Sequence, residues 1–376
     1  MRVLHVYSGN LYGGIEAILL SLARSREVCP AVDLEVALCF AGRVSRELEA
    51  SGVRVHQLSE VRVSRPRTVY RARRALGALL AARPFDRVIC HAPWAQAIFG
   101  GVIKRAGVPL VFWAHDVMTG THWTERWARR VRPDLAICNS EFTARWLSTL
   151  YDRMPAVVIY APVNVTPPSL SLAERRALRA ALDTSDDATV IVQASRSEAW
   201  KGHAVLLEAL ARLRDVPGWV WWQVGGAQRP AETAFLASLC TLAAHLGIAD
   251  RVRFVGDRTD VPRLLAAADV YCQANLGPEP FGIVFVEALA AGLPVVATSL
   301  GGALEIVDDT CGILVPPDDP AALSVALERL LRDRALRARL ALAAPARARR
   351  LCDPTTQINR LAAALVRMAP KEEMTG

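Results

Sequence analysis

The sequence lacks the residue spacings that bind most structural and catalytic metal ions, and those of common hydrolases. Its eight cysteines form no CxxC pair, and no HExxH, GxSxG or D-x-D element occurs along the chain. Zinc modules, zinc proteases and serine hydrolases of the nucleophile-elbow type are therefore not supported. The cysteines, several of which lie in apolar segments, are predicted to be free thiols in a reducing compartment.

Long apolar runs are also missing. No uninterrupted apolar run is long enough to span a bilayer, and the long uncharged stretch of residues 288–304 is broken by Pro294 and several glycines. The first residues, Met1–Gly9, are too short and polar an opening for a signal peptide. We therefore expect a cytoplasmic protein, with peripheral contact at the inner face of the membrane as an open alternative.

Basic residues exceed acidic ones, which gives a formal net charge of +8. Two stretches concentrate this charge, and the second interleaves arginine with tryptophan. An anionic membrane or a phosphorylated acceptor would suit both stretches, but a plain solvated surface is the simpler explanation and the one that composition favours. No nucleic-acid motif accompanies them, so nucleic acid is not expected as a partner. The stretches contain Arg62, Arg65, Arg67, Arg71, Arg73, Arg74 and Arg83, and then Trp123, Arg126, Trp127, Arg129 and Arg130.

Short apolar runs alternate with segments of helical periodicity almost throughout the 376 residues. Strands that are apolar on both faces and separated by helices predict an α/β protein with parallel sheets covered on both sides. The predicted strands are Val3–Tyr7, Leu34–Phe40, Val53–Leu58, Arg87–Cys90, Leu110–Ala114, Leu135–Cys138, Val157–Tyr160, Val190–Ala194, Val220–Val224, Val252–Val255, Val270–Gln273, Pro294–Thr298 and Ile313–Val315.

The length favours two domains. The proline-rich segment Ala161–Pro168 is the predicted linker, so the first domain is placed at residues 1–163 and the second at residues 164–353. The remaining residues, 354–376, are predicted to form a helix with one apolar stripe made by Ile358, Leu361, Leu365 and Met368.

Two loops that follow predicted strands have the composition of anion sites. Gly9–Glu16 is a glycine-rich turn that includes Gly13 and Gly14, although it matches neither GxGxxG nor a P-loop. Ser195–Gly202 carries Arg196 and Lys201 at the start of a helix, an arrangement that suits a diphosphate. The simpler alternatives are a structural turn and two solvated cations.

Two carboxylates eight positions apart mark the segment from Glu279 to Glu287. Glu279 lies in a Pro/Gly turn, Gly282 and Ile283 are predicted to offer backbone N–H groups at a helix start, and Glu287 lies on that apolar helix. A buried carboxylate needs a polar partner, and a ligand rich in hydroxyl groups would provide one. The alternatives are a helix-capping role for Glu279 and a salt bridge for Glu287.

Polar residues also end several predicted strands, where ligands of parallel sheets gather. His91, Asn139 and Gln273 occupy such ends, and the alternative is that they only cap the strands. The strand Leu110–Ala114 leads into His115 and Asp116. A histidine there could hydrogen-bond a substrate or transfer a proton, although a lone histidine is more often structural.

Together these residues resemble the retaining glycosyltransferase family 4, over nearly the whole chain and most specifically from Ser195 to about Pro317. The E-x7-E element Glu279–Glu287 carries the resemblance, with the downstream AAGLPVVAT and GGALE segments. The resemblance implies the GT-B fold, in which two Rossmann-like α/β/α domains face a central cleft and the last helix crosses back to the first domain. Ser195, where many members have glycine, and Ala199-Trp200 before Lys201 depart from the family pattern.

The resemblance also implies roles. Glu279 would contact donor-sugar hydroxyls, Glu287 the ribose, and Arg196 with Lys201 the diphosphate. Backbone groups of Phe281, Gly282 and Ile283 would meet sugar and phosphate, Gly13 and Gly14 would face the donor phosphates and acceptor, and His115 would lie by the reacting sugar. The segment Phe254–Arg258, and with it Arg258, would contact the base.

The implied activity is the transfer, with retention of configuration, of a sugar from a UDP- or GDP-sugar. The absence of a D-x-D element argues against a metal-dependent way of holding that donor, so we expect the cations to do this electrostatic work. The acceptor would be a hydroxyl on a glycan, a lipid-linked or a small molecule, as in cell-surface glycan or glycoconjugate synthesis. No further cofactor is implied. The alternatives are another GT-B enzyme, such as an epimerase or a pyridoxal-dependent phosphorylase, and a non-catalytic nucleotide-sugar binding protein.

Overall fold

The computed structural model describes residues 1–9, 13–166 and 169–368. The chain divides into two compact units: Met1–Val163 together with the last helix, and Asn164–Cys352. All thirteen predicted strands are present, and each observed end lies within two residues of the prediction. The predicted linker Ala161–Pro168 ends in Pro167 and Pro168, which lie outside the described residues.

The first unit is built on a parallel seven-stranded sheet with the order β3-β2-β1-β4-β5-β6-β7. Its strands are β1 (Arg2–Tyr7), β2 (Asp33–Leu38), β3 (Arg54–Gln57), β4 (Arg87–His91), β5 (Leu110–Ala114), β6 (Leu135–Cys138) and β7 (Ala156–Val158). Its helices are α1 (Gly14–Arg24), α2 (Arg43–Ala50), α3 (Pro66–Ala82), α4 (Ala92–Arg105), α5 (Trp123–Ala128) and α6 (Glu141–Trp146).

The second unit repeats this plan on a parallel six-stranded sheet with the order β10-β9-β8-β11-β12-β13. Its strands are β8 (Thr189–Ala194), β9 (Trp219–Val224), β10 (Val252–Gly256), β11 (Val270–Gln273), β12 (Val295–Thr298) and β13 (Gly312–Val315). Its helices are α7 (Leu172–Ala180), α8 (His203–Ala211), α9 (Pro230–His245), α10 (Val261–Ala267), α11 (Ile283–Ala290), α12 (Ala303–Ile306), α13 (Pro320–Arg332) and α14 (Arg334–Cys352).

The central strands are buried on both faces, as their unbroken apolar composition predicts. Every residue of β5 is buried, and β9 places Trp219, Trp221 and Trp222 in the interior of the second unit. Helices therefore cover both sides of each sheet, and the carboxyl ends of the strands are left to the loops. The polar candidate residues lie in those loops and at those strand ends.

The last helix, α15 (Pro354–Arg367), belongs to the first unit. It buries Ile358, Leu361 and Leu365, while Met368 lies just past its end. The Arg87 guanidinium, at the start of β4, donates to the carbonyls of Leu365 (3.2 Å) and Met368 (2.9 Å). The predicted apolar stripe thus packs on the first unit, and one arginine ties its end to the sheet.

None of the helices in residues 1–9, 13–166 and 169–368 combines the length and the apolar character that crossing a membrane requires. All eight cysteines are free thiols, and six of them are buried.

Candidate functional site

An ion pair between Lys201 and Glu279 lies at the carboxyl ends of β8 and β11. A single 3₁₀ turn, Ala199–Lys201, follows β8, and the Lys201 ammonium donates to Glu279 Oε2 at 2.6 Å. The two side chains are only 12% and 16% exposed. The Lys201 ammonium also lies 3.9 Å from the centre of the Trp200 ring, which provides a cation–π contact. The pair is thus shielded from water. Charge interactions are stronger in such a shielded environment than in bulk water.

A chain of polar side chains orients Glu279. The Asn275 amide donates to Glu279 Oε2 at 3.1 Å, and the Gln273 amide reaches the same oxygen at 3.4 Å. The Tyr271 hydroxyl donates in turn to Gln273 Oε1 at 2.7 Å. Three donors therefore converge on Oε2, while Glu279 Oε1 accepts no hydrogen bond from any described residue. One carboxylate oxygen fixes the side chain, and the other remains available.

The loop that carries Lys201 approaches the β11–α11 loop so closely that a side chain would not fit between them. Gly202 has φ +72°, and a Cβ there would lie 1.6 Å from the Ala274 carbonyl oxygen. The Leu276 N–H donates to the Trp200 carbonyl at 2.8 Å, and the Gln193 amide donates to the Lys201 carbonyl at 3.0 Å. The backbone that carries Lys201 is therefore held by hydrogen bonds from two directions, one from a backbone N–H and one from a side-chain amide.

The segment after β12 holds Glu279 from the other side. The Gly302 N–H donates to the Glu279 carbonyl at 2.8 Å, and a Cβ on Gly302 would lie 2.3 Å from the Phe281 carbonyl oxygen. Helix α11 begins at Ile283, two residues after Phe281 in the chain. The backbone N–H groups of Gly282 and Ile283 find no acceptor among the described residues. They therefore point free donors out of a helix start next to the ion pair.

Glu287, one turn into α11, is partly buried and has no ion pair or hydrogen bond to its carboxylate in the described part of the chain. Burial raises the pKa of Glu287 from 4.5 to about 7. The alternative that Glu287 is neutralised by a salt bridge is therefore wrong for the described residues. Glu279 does not cap α11 either, because Gly282 occupies the capping position and no side-chain cap bond is made.

Arg196, which is predicted to bind the diphosphate together with Lys201, forms ion pairs of its own. The Arg196 guanidinium contacts two carboxylates, Glu198 at 2.9 Å and the buried Glu232 at 3.0 Å. Arg258 follows the end of β10 and binds Asp260 through two bonds of 2.7 Å each. The Asp260 partner raises the pKa of Arg258 further. Both arginines are held at the edge of the same sheet by acidic neighbours.

In the first unit, Gly13 and Gly14 open α1 after β1. The Gly13 N–H donates to Glu16 Oε2 at 2.9 Å, and Glu16 is buried. The middle of the predicted glycine turn, Asn10–Tyr12, lies outside the described residues. The two glycines are therefore located at a helix start, as predicted.

His115 follows β5 and is buried, with 7% of its surface exposed. Its Nε2 lies 2.9 Å from His91 Nδ1, and His91 Nε2 lies 2.8 Å from His5 Nδ1. Burial lowers the pKa of His5 and of His115 to about 3, and it lowers that of His91 as well, with the neighbouring histidines adding to the effect. All three imidazoles are therefore neutral at physiological pH. Asn139 supports this end of the sheet by donating to the His115 carbonyl.

The sequence singled out Lys201, Glu279 and Glu287 as candidates, but it gave no sign of the residues that contact Lys201 and Glu279. Asn275 and Gln193 gave no motif, although a glutamine inside an apolar strand such as β8 is itself a signal of a buried polar contact. The buried acidic partner of Arg196, Glu232, also went unnoticed, because it lies 36 positions away in the chain.

Two parallel α/β units, each with candidate residues at its strand ends, define the GT-B class of glycosyltransferase. The family model "Glycosyltransferase Family 4" matches residues 12–167, and the model "Glycosyl transferases group 1" matches residues 174–347. The chain belongs to glycosyltransferase family 4, and it is a glycosyltransferase.

Individual proteins that are similar to this chain include glycosyltransferases. A phosphatidyl-myo-inositol mannosyltransferase of Mycobacterium leprae is 30% identical over 365 aligned residues, which cover 92% of this chain and 90% of that protein. A D-inositol 3-phosphate glycosyltransferase of Salinispora tropica is 33% identical over 72% of this chain and 62% of its own length. The structure of Anabaena HepE in complex with UDP-glucose superposes with a TM-score of 0.85 at 27% identity, covering 97% of this chain and 99% of that one.

We expect Gly202→Ala to destabilise the second unit well beyond the cost of its left-handed backbone. Gly218 has nearly the same φ, +77°, but a Cβ there meets nothing within 4 Å. Gly218→Ala should therefore lose only the left-handed penalty of about 1–2 kcal/mol. Gly202→Ala must in addition displace Ala274. Urea unfolding of both variants measures the difference, and equal losses would contradict the close approach of the two loops.

We expect Glu287 to make the free energy of unfolding depend on pH. Because the folded-state pKa is raised, the fold favours the protonated carboxyl. The stability from this group is complete below pH 4.5 and is lost as the pH rises to about 7. Glu287→Gln should flatten the fall measured by urea unfolding between pH 5 and 7.5. Glu208→Gln, at an exposed position of α8, is the control, and a Glu287→Gln profile that matches it would show that Glu287 is not desolvated.

Proposed function

We propose that this glycosyltransferase uses a nucleoside diphosphate sugar, with UDP or GDP, and transfers the sugar with retention of configuration. The observation that carries the proposal is the shielded Lys201–Glu279 pair. Among the described residues, neither Glu279 Oε1 nor the carboxylate of Glu287, on the helix that follows, has a hydrogen-bond partner. Cations, free N–H groups and unsatisfied carboxylates in one loop cluster match a ligand that has both phosphates and hydroxyls. HepE, which was solved with UDP-glucose, supports this donor class.

The carboxylates are assigned to hydroxyl groups. Glu279 would accept a hydrogen bond from the donor sugar through Oε1, because its Oε2 is already occupied by Lys201, Asn275 and Gln273. Glu287 would accept from the ribose hydroxyls. Those hydroxyls stabilise the ionised carboxylate, so bound donor would lower the raised pKa of Glu287. Neither residue needs to act as an acid or a base.

The cations and backbone donors are assigned to the phosphates. The Lys201 ammonium has three N–H donors and spends one on Glu279, so it can bind a phosphate oxygen without breaking the pair. Arg196 would turn from Glu198 towards the diphosphate, and the N–H groups of Gly282 and Ile283 with the backbone of Phe281 would complete the cradle. Gly13 and Gly14 would serve the donor phosphates and acceptor from the first unit, and Arg258 would border the base.

In the proposed reaction, the bond from the anomeric carbon to the phosphate oxygen breaks, and the acceptor oxygen bonds to that carbon on the same face. The acceptor proton passes to the leaving diphosphate, so no separate enzymic base is required. Lys201 and Arg196 stabilise the charge that develops on the phosphate. His115, which is neutral, would hydrogen-bond the reacting sugar. We propose that these cations replace a divalent metal ion and that no cofactor beyond the nucleotide sugar takes part.

The acceptor is proposed to be a hydroxyl on a glycan, a lipid-linked or a small molecule. The relatives named above act on phosphatidyl-myo-inositol and on inositol phosphate by their names. Peripheral membrane contact is assigned to α5, where Trp123 and Trp127 are 37% and 41% exposed. The Arg130 guanidinium lies 5.8 Å from the centre of the Trp127 ring. Exposed tryptophans flanked by arginines suit an anionic interface.

Lys201→Ala should lower kcat by about 10²–10³-fold, because the leaving diphosphate loses a preorganised cation. Release of UDP or GDP from the matching sugar nucleotide is the assay. Lys104→Ala removes the lysine of a half-exposed surface pair with Asp134 and is the matched control, with activity expected at the parent level.

The same assay is repeated in excess EDTA, where undiminished turnover is expected. Near-normal kcat for Lys201→Ala would contradict its role. Activity that disappears in EDTA and returns with Mg²⁺ or Mn²⁺ would contradict the metal-independent mechanism.

Glu279→Gln should reduce discrimination between epimeric donor sugars more than it weakens nucleotide binding. The amide keeps the shape of the side chain but loses the charge that accepts sugar hydroxyls strongly and pairs with Lys201. The ratio of kcat/KM for two epimeric donors, beside the Kd for the free nucleotide, measures the two effects. Unchanged donor ratios with a weakened nucleotide Kd would assign Glu279 to the nucleotide instead.

Membrane contact is tested by co-sedimentation with phosphatidylglycerol vesicles. The parent protein should sediment at low salt, and a Trp127→Ala/Arg130→Ala double variant should sediment less, because it loses both the aromatic anchor and a cation. Arg74→Ala, on the exposed side of α3, is the control for charge alone. Equal sedimentation of all three proteins would contradict an interface at α5.

A further inference from the structure

Three histidines from neighbouring strands form one hydrogen-bonded column in the first unit. His5 lies on β1, His91 ends β4, and His115 follows β5, and these strands are adjacent in the sheet. In the sheet register, His5 is opposite Ile89, two residues before His91, and His91 is opposite Trp113, two residues before His115. The column therefore stays on one face and steps two residues along at each strand.

The rings meet edge to edge. The nitrogen–nitrogen distances are 2.8 Å for His5–His91 and 2.9 Å for His91–His115, and the planes differ by 26° and 15°. The centroid separation of 5.1 Å in both pairs is what two nearly coplanar imidazoles joined by an N–H···N bond require. The Trp113 ring lies 5.2 Å from His91 and 5.5 Å from His115, nearly parallel to both, and packs along the column.

These bonds couple the tautomers of the three rings. A neutral imidazole has one donor and one acceptor nitrogen. If His5 donates through Nδ1, then His91 accepts through Nε2, must donate through Nδ1, and leaves His115 protonated at Nδ1. If His115 instead donates through Nε2, then His91 accepts through Nδ1 and donates through Nε2. All three rings are then protonated at Nε2. A mixed arrangement breaks one of the two bonds at a buried site.

We propose that His91 is a positioning residue that, through this column, sets which nitrogen of His115 carries the proton. His115 Nδ1 is buried and has no hydrogen-bond partner among the described residues, so it is the end of the column left for a ligand. The ligand expected there is a hydroxyl of the reacting sugar. This catalytic consequence rests on the proposed function. The column decides whether Nδ1 donates to that hydroxyl or accepts from it.

The backbone at His91 supports this role. Strand β4 ends at His91 and helix α4 begins at the next residue, with no loop between them. Ala92, at this corner, has φ +65°, a left-handed conformation that disfavours any residue with a Cβ. Such strain persists where the surroundings require a fixed geometry, and here it lies at the residue next to the central ring of the column.

The first experiment is nitrogen-15 NMR of the imidazole rings in the full chain without donor. Long-range proton–nitrogen spectra distinguish the protonated nitrogen of each histidine directly. We expect His5, His91 and His115 to share one tautomer between pH 6 and 8. Different tautomers within the column, or rapid averaging at His115 alone, would overturn the proposal.

The second experiment compares His91→Phe with His56→Gln. Phenylalanine keeps a planar ring against Trp113 but removes both nitrogens, so His115 should lose its single tautomer and kcat should fall about tenfold. His56 lies outside the column, paired with Glu35, and its variant should keep the parent spectrum and kcat. A single unchanged His115 tautomer and an unchanged kcat in His91→Phe would overturn the role of His91.

The histidine column and the proposed function can be tested independently of each other. The tautomer measurement on the parent protein needs no sugar donor, so its result does not depend on identifying the nucleotide sugar. It also does not depend on whether His91→Phe folds. If the parent protein shows one shared tautomer but releases no nucleotide from any sugar donor, the proposed function fails and the column remains. If it is active with mixed tautomers, the column fails and the proposed function remains.

Discussion

The Lys201–Glu279 ion pair is the interaction on which the arrangement of the second unit's strand ends depends. Two charges that are each less than one-fifth exposed are costly to bury singly and acceptable as a pair. The pair needs the Gly202 and Gly302 backbones to approach closely, and it needs Asn275 and Gln273 to complete the coordination of one oxygen. Glu279 Oε1 and the Glu287 carboxylate have no partner in the part of the chain that the structure describes, and they define the chemistry that a ligand must bring.

The roles of the charged residues therefore divide by chemistry. Carboxylates with spare acceptor capacity suit hydroxyl groups, whereas an ammonium with spare donors and free helix N–H groups suits phosphate. A nucleotide sugar offers both kinds of group in one molecule. The membership of glycosyltransferase family 4 and the likeness to HepE agree with this reading of the side chains.

The sequence allowed the strands to be predicted well, because buried parallel strands are uninterrupted apolar runs bounded by polar turns. It also allowed the loop residues at Ser195–Gly202 and Glu279–Glu287 to be predicted, because glycines and charges there are close in the chain. Contacts between distant segments could not be predicted. The pairing of Arg196 with Glu232 and the column of His5, His91 and His115 both depend on the strand order and register. A lone histidine in an apolar strand gives no sign of its neighbour.

The central claim is that the Lys201–Glu279 loop cluster binds the diphosphate of a nucleotide. Calorimetric titration of the full chain and of the Lys201→Ala variant with UDP, GDP and ADP tests it most directly. We predict that the parent protein binds UDP or GDP at one site and prefers it over ADP, and that the variant binds it at least tenfold more weakly. Binding of no nucleotide by the parent, or equal Kd values for the parent and the variant, would contradict the account.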